Sequence, residues 1–430
     1  MSFFRLAENQ TSFKKEAIAA LTTFVTMAYI VIIAPQMLHD AGIPYASAFV
    51  ACCLVIIVGS VLNAFLSNFP IALGPGLGLL SYFAYVVVDQ LHFSWQAGLA
   101  AVLISGLIFL VITLTKLRQY ILEAIPHSLG CAIAAGIGFF IGFIALRDVG
   151  LVVGNPDTLL ALGSVHTQQM ALFFVGFFII AILDQHKVPG AILIGIVAVT
   201  AIGWVLGLNH IDHIVALPHY SGETWWAFDF HGLAHKGSAA VIFTFVIIAL
   251  FDSTGTLLGL VKQFPDQVQQ QTGRVNRALL AESLATCFAA TVGSSTTSLM
   301  VENASGIYAG GRTGLTAFFV ACCFLVILFL SPLAQSIPSF ATSAALIYVA
   351  CLMVKPFAGV AWEQPGEYIP AVITLLMIPL SFSIADGVGL GVICYVVLNV
   401  ATNQWRKIHP ILWVLFVVFQ YLRQFRRQIE

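Results

Sequence analysis

Apolar runs of about twenty residues recur from residue 17 to residue 403 with almost no charge inside them. A bilayer-spanning helix needs roughly 20 consecutive apolar residues. The runs are continuous rather than alternating in ten-residue blocks, so they read as helices and not as barrel strands. Only 9% of the 430 residues are charged, against about 25% in soluble domains. That excludes a soluble enzyme. A net charge of −1 gives no basic surface for nucleic acid. The expected fold class is an all-α polytopic membrane protein surrounded by membrane lipids.

Fourteen spans are expected at about 17–38, 46–66, 71–88, 95–115, 128–146, 169–184, 189–207, 238–260, 278–292, 294–311, 315–336, 341–354, 367–383 and 386–403. With the N-terminus in the cytoplasm, alternation places sixteen Lys and Arg on the cytoplasmic side. Only Arg147 and Lys236 fall outside. This is a strong positive-inside bias, and a missed middle span would scramble it. Both termini are therefore expected in the cytoplasm of a cell (inner) membrane protein. The first residues show no signal-peptide pattern. A further apolar stretch, 411–422, reads as an interfacial helix or a misdivided span.

The eight cysteines all stand in apolar stretches and form no CxxC pair. They read as small core residues, not as disulfides or metal ligands. The outer loop 208–237 holds His210, His213, His219, His231 and His235 with Asp212 and Asp229. Their spacing is irregular, so a wet amphipathic loop is expected and no metal is assigned. The inner loop 261–277 is polar and expected to be flexible. No cofactor is expected.

Two spans are poor helices. Residues 68–85 place Gly74, Pro75, Gly76 and Gly78 near mid-depth, and residues 289–311 place Gly293 before five hydroxyl residues, Ser294 to Ser298. Proline removes a backbone donor, and Gly and Ser/Thr weaken a helix. Non-helical backbone survives at that depth only where protein or a water-filled cavity satisfies it. The breaks are spans 3 and 10, the third of each seven. Seven is odd, so the halves are expected to be inverted repeats. Paired breaks in equivalent positions point to a transporter's binding site. Placing Gly74 on Gly293, an offset of 219, sets Phe83 opposite Glu302 and Ile33 opposite Asp252.

Asp252 and Glu302 are the two acids well inside apolar sequence. An acid at that depth costs a few kcal/mol and marks function by default. No Lys or Arg stands at central depth to neutralise them, so each is expected to exchange a proton or to accept N–H groups of a neutral ligand. Glu282, Asp184 and Asp386 fall near span ends and read as helix-cap or interface acids. The site suits a flat, polar, uncharged molecule.

Three stretches, PIALGPGLGLLSYFAYVVV (70–88), ALFDSTGTLLG (249–259) and VGSSTTSLMVENASGIYAGGRTGLTA (292–317), resemble the nucleobase–ascorbate transporter superfamily in its azaguanine-resistance-type purine permease branch. The resemblance implies fourteen helices in two inverted seven-helix repeats, with short antiparallel strands in spans 3 and 10. It implies an N-terminus 1–16, core spans 17–120, gate spans 121–207, the loop 208–237, core spans 238–336, gate spans 337–403 and a basic C-terminus 404–430. It further implies import of a purine base (adenine, guanine or hypoxanthine) by proton symport, with dimerisation through the gate. Carried over by position, Asp252 holds the base edge and Thr256 lies one turn later. Glu302 is flanked by Met300, Val301 and Asn303, and Phe83 is a contact from span 3. Asp252 and Glu302 are the expected proton-coupling acids. Leu80 and Ala34 stand where many members carry Asn, and many carry a Tyr near the position of Met300, which bears on substrate choice. The alternatives are another nucleobase such as uracil or xanthine, a small anion on the same fold, or a membrane-embedded enzyme. Two site acids would repel an anion. The sequence lacks HExxH and GxSxG and has no histidine at a span centre, which argues against the enzyme.

Overall fold

The computed structural model describes residues 3–115, 126–210, 215–218, 220, 222–234, 237–261, 264, 272–413, 415–417 and 420. Among them, seven helices are long and apolar enough to cross a membrane, and five apolar helices are shorter. The chain forms α1 (Phe13–Met27), α2 (Ile30–Asp40), α3 (Tyr45–Leu66), β1 (Leu73–Pro75) and α4 (Leu77–Ser81), which runs on as a π-helix over Tyr82–Gln90. Then come α5 (Trp95–Leu114), α6 (His127–Asp148), the hairpin β2 (Val152–Asn155) and β3 (Leu159–Leu162), α7 (Gln168–Gln185) and α8 (Ala191–Val205). The second half holds α9 (Ser238–Val261), α10 (Thr272–Val292), β4 (Thr297–Leu299), α11 (Asn303–Tyr308), α12 (Gly314–Ile327) and α13 (Ser331–Gln335). It ends with α14 (Ser339–Val354), α15 (Pro365–Leu380) and α16 (Ile384–Ala401).

The helices sort by packing. α3 packs on α10 and α12, α5 on α9 and α10, and α1 on α11 and α12. Separately, α6 packs on α14 and α15, α15 on α16, and α7 on α8 and α14. Sparser contacts, such as α2 with α14 and α9 with α6, link the two sets. Lipid gives helices no hydrophobic reason to associate, so close backbone approach matters more. A Cβ on Gly138 would stand 2.8 Å from Met353 Cβ and 3.0 Å from the Ala350 carbonyl oxygen, so only glycine lets α6 and α14 meet there.

Segment ends that the charge count assigns to one side meet in space. Asp40, Asp89, Arg147, Asp148 and Ser339 line one cavity. At the other end, Glu16 accepts hydrogen bonds from the Arg312 and Thr313 amides at 3.0 and 3.4 Å and from Thr316 Oγ1 at 2.5 Å. Glu16 is fully buried. It is therefore not part of a solvated N-terminal tail ending at residue 16. It lies inside α1, which starts at Phe13, and its carboxylate meets the exposed amides at the N-terminus of α12.

Two further expectations need correction. α10 begins at Thr272, not near 278, so the polar stretch 261–277 contributes a helical turn; residues 262–263 and 265–271 lie outside the described residues. The loop 208–237 is not wet throughout. Thr224 is fully buried, and its hydroxyl donates to the Val292 carbonyl at 3.0 Å while the Trp226 amide donates to Thr291 O at 2.8 Å. These bonds satisfy carbonyls left open at the end of α10. His210 and His231 are exposed; His213, His219, His235 and Asp212 lie outside the described residues. Residues 410–413 and 415–417 of the last apolar stretch are helical.

Candidate functional site

Both poor helices are broken, and the breaks pair. β1 and β4 run antiparallel in the register Leu73↔Leu299, Gly74↔Ser298 and Pro75↔Thr297. The Gly76 amide adds a bond to the Thr296 carbonyl at 3.1 Å. Polar side chains close further backbone groups of the breaks. Ser60 of α3 accepts from the Leu73 amide at 3.1 Å, and Asn63 Nδ2 donates to the Ile71 carbonyl at 2.6 Å. Asn303 accepts from the Ala72 amide at 2.7 Å and donates to the Ala72 and Met300 carbonyls at 2.9 and 2.6 Å. Non-helical backbone is thus satisfied by protein, as membrane depth requires.

The strand register corrects the repeat alignment. The strand centres are Gly74 and Ser298, so the offset is 298 − 74 = 224, not 219. The pairings of Phe83 with Glu302 and Ile33 with Asp252 fall with it. Gly293 ends α10 with φ +90°, whereas Gly74 is a strand residue. A glycine that stops a helix and a glycine inside a strand look alike in sequence.

Both acids adjoin the second break. Asp252 of α9 accepts from Ser298 Oγ at 2.5 Å. A Cβ on Gly76 would be 3.9 Å from Asp252 Oδ2 and 3.0 Å from Ser298 Cβ, so glycine keeps the carboxylate accessible to β1. Glu302 stands at the N-cap position of α11 without capping it through its side chain, and one carboxylate oxygen accepts from Tyr29 Oη at the head of α2. Its other oxygen, Oε2, is buried with no hydrogen-bond partner among the described residues. Ser298 and Glu302 stand four residues apart in the chain, so both acids meet the same short stretch of the second break. Each residue as a whole is partly exposed, but the Glu302 Oε2 acceptor is buried. An unpartnered acceptor at Glu302 and a hydroxyl-oriented acceptor at Asp252 suit N–H donors or a transferable proton.

The remaining expected residues take different places. Thr256, one turn beyond Asp252, is partly exposed. Val301 is 58% exposed beside Glu302. Met300 is buried, its sulfur 3.3 Å from where a Gly74 Cβ would stand, so it packs on β1. Asn303 is buried with both amide hydrogens bonded to carbonyls, which makes it a clamp between the breaks rather than an open ligand group. Phe83 is fully buried with its ring edge against Gly98 of α5 and presents no free face for stacking. It lies seven residues past Gly76, about 10 Å along a helix axis.

Sequence reasoning missed Tyr29 altogether and named Ser298, Gly76 and Glu282 without the roles they take here. Tyr29 and Ser298 hold the two acids, and Gly76 makes room beside one. A tyrosine deep in an apolar span needs a partner for its hydroxyl, which was the available signal. Glu282 is not a span-end acid. It is fully buried inside α10 and accepts from Ser253, the neighbour of Asp252. The misplaced start of α10 concealed it. Among the described residues no three His, Cys, Asp or Glu side chains cluster to hold a metal.

A model described as a permease family matches residues 14–390. The adenine permease AdeP of Escherichia coli is 39% identical over 418 residues, 97% of this chain and 94% of that protein. The guanine/hypoxanthine permease PbuO of Bacillus subtilis is 38% identical over 424 residues, covering 97% of this chain and 98% of that protein. Among solved structures, the transmembrane domain of a cyanobacterial bicarbonate transporter, BicA, superposes with a TM-score of 0.62 at 16% identity. The match covers 88% of this chain and 97% of that one. The murine anion transporter Slc26a9 in its inward-facing state gives 0.63 at 12% identity, over 91% and 69% of the two chains. At such identities the likeness establishes a shared, mostly helical membrane fold. The relatives are permeases rather than enzymes, and the chain belongs to their permease family, the nucleobase–ascorbate transporters.

Proposed function

We propose that this chain imports a purine nucleobase by proton symport with alternating access. The observation that carries this reading is the pair of acids at the paired breaks, Asp252 bonded to Ser298 of β4 and Glu302 bonded to Tyr29. Near full-length relatives that are adenine and guanine/hypoxanthine permeases support the substrate class. The base edge donates N–H groups to Asp252, and the ends of β1 and β4 offer backbone groups to its remaining polar atoms. Tyr29 orients Glu302 so that Oε2 takes the transported proton or a ligand N–H.

In this reading the fourteen segments form two inverted repeats. The set built on α1–α5 and α9–α13 is a core that carries the base. The set built on α6–α8 and α14–α16 is a gate that stays against the membrane and pairs with a second copy. The proton and the base drive the core across only through different affinities for its two positions. The protein lies in the cell membrane with both termini cytoplasmic.

Uptake of labelled adenine, guanine and hypoxanthine by cells lacking their own purine permeases tests this. Asp252→Asn and Glu302→Gln are each expected to abolish uptake while the protein still reaches the membrane. Full uptake by either variant would remove that acid from the site. The anion reading makes the opposite prediction: labelled sulfate or bicarbonate would enter, and the two carboxamide variants would carry it at least as well.

A further inference from the structure

A cavity of about 360 Å³ opens at the end of the molecule bearing Asp40, Asp89, Arg147, Asp148 and Ser339. That volume falls within the roughly 300–1,000 Å³ of small-molecule sites. Its walls come from both helix sets. One is the face of α2 carrying Ile33, Gln36, Met37 and Asp40; the other is the face of α14 carrying Ser339, Thr342, Ser343 and Leu346. Tyr29 stands on that same α2 face, one turn before Ile33, because residues at i, i+4, i+7, i+8 and i+11 share a helix face. The cavity floor is therefore one turn above the Tyr29–Glu302 pair.

The chemistry of the lining is divided. The buried part carries Ile33, Met37 and Leu346 together with the hydroxyl residues Thr342 and Ser343. The rim is polar and charged. Asp40 accepts from Tyr85 Oη at 2.9 Å and from Gln36 Nε2 at 3.2 Å. Arg147 bonds Asp148 at 3.4 Å, and its guanidinium carbon lies 5.8 Å from the centre of the Tyr85 ring and 5.7 Å from that of Phe382. Three carboxylates face one guanidinium, a formal balance of −2, which repels anions and attracts N–H donors. A flat heteroaromatic base, apolar on its faces and polar along its edge, matches a cavity whose buried part mixes Ile33, Met37 and Leu346 with two hydroxyls and whose rim is acidic. Guanidinium planes stack on such bases.

Resting on the purine reading above, we propose that this cavity is a second, weaker purine-base site. It is an antechamber in which Asp40 and Asp148 accept N–H groups and Arg147 lies against the ring. The base occupies it before passing Ile33 to reach Asp252 and Glu302.

Equilibrium binding of labelled adenine and of labelled hypoxanthine to the purified full chain tests this. Wild type is expected to show two classes of site. Asp252→Asn is expected to lose the tight class and keep the weak one. Adding Asp40→Asn with Arg147→Gln is expected to weaken what remains at least tenfold. A second measurement guards against misfolding of that variant. Ser339→Cys, placed at the rim in the Asp252→Asn chain, is labelled in intact cells by a membrane-impermeant maleimide, and millimolar adenine or hypoxanthine is expected to slow it several-fold. One class of site in wild type, with none left in Asp252→Asn and no protection at position 339, overturns the antechamber and leaves the central site standing. No purine binding to wild type at all overturns both.

Discussion

Asn303 gives the sharpest test of how the broken spans are held. Its side chain satisfies the Ala72 amide, the Ala72 carbonyl and the Met300 carbonyl, and it is fully buried. Asn303→Ala strands the Ala72 amide and carbonyl, whereas the Met300 carbonyl keeps a bond from the residue 303 amide at 3.3 Å. Each orphaned buried group costs about 1–3 kcal/mol, so the sum before relaxation is roughly 2–6 kcal/mol. Water entering the space left by the amide recovers part of this, which favours the lower end, near 2 kcal/mol. An unfolding entropy of about 2.1 cal/mol/K per residue, taken over 430 residues, converts that into a fall of about 2 °C or more in melting temperature. The assay is heating of the purified protein followed by size-exclusion chromatography. Thr402→Ala, at an exposed position, serves as the control and is expected to stay within about 0.5 kcal/mol of wild type. Asn303→Ala should also lose uptake, because the strand ends no longer hold their register. Melting and uptake equal to wild type would refute the claim that this side chain clamps the breaks.

Further outcomes follow from the same geometry. Gly76→Val is expected to fold but to weaken purine affinity at least tenfold in a competition assay, since its branches point into the space between Ser298 and Asp252. Glu16→Gln is expected to lower stability by about 1–3 kcal/mol through weaker bonds to the α12 amides, with apparent purine affinity unchanged in uptake kinetics. Phe83→Ala is expected to cost about 3–5 kcal/mol as a core cavity, and the surviving protein should keep its preference among bases; a changed preference would put Phe83 back at the site.

The membrane class, the helical spans and the two breaks were legible because bilayer thickness and backbone satisfaction leave a chain few choices. Asp252 and Glu302 were legible for a related reason, since a carboxyl at that depth needs a purpose. What escaped were pairings between distant segments. Nothing near Glu302 in sequence announces Tyr29, 273 positions away. Ser60 and Asn63 look like ordinary small polar residues in an apolar span until β1 lies against them. Glu16 read as the last residue of a polar tail because its partners, the amides of residues 312 and 313, are backbone groups that any sequence carries. The offset of 219 failed because the pattern marks where a helix breaks but not which residue of the break pairs.

A structure with adenine or hypoxanthine bound tests the central claim most directly. The account predicts the base edge within about 3.2 Å of the Asp252 carboxyl, with its other polar atoms against the ends of β1 and β4 and Glu302 beside it. A base seated elsewhere, with Asp252 still bonded only to Ser298, would contradict it.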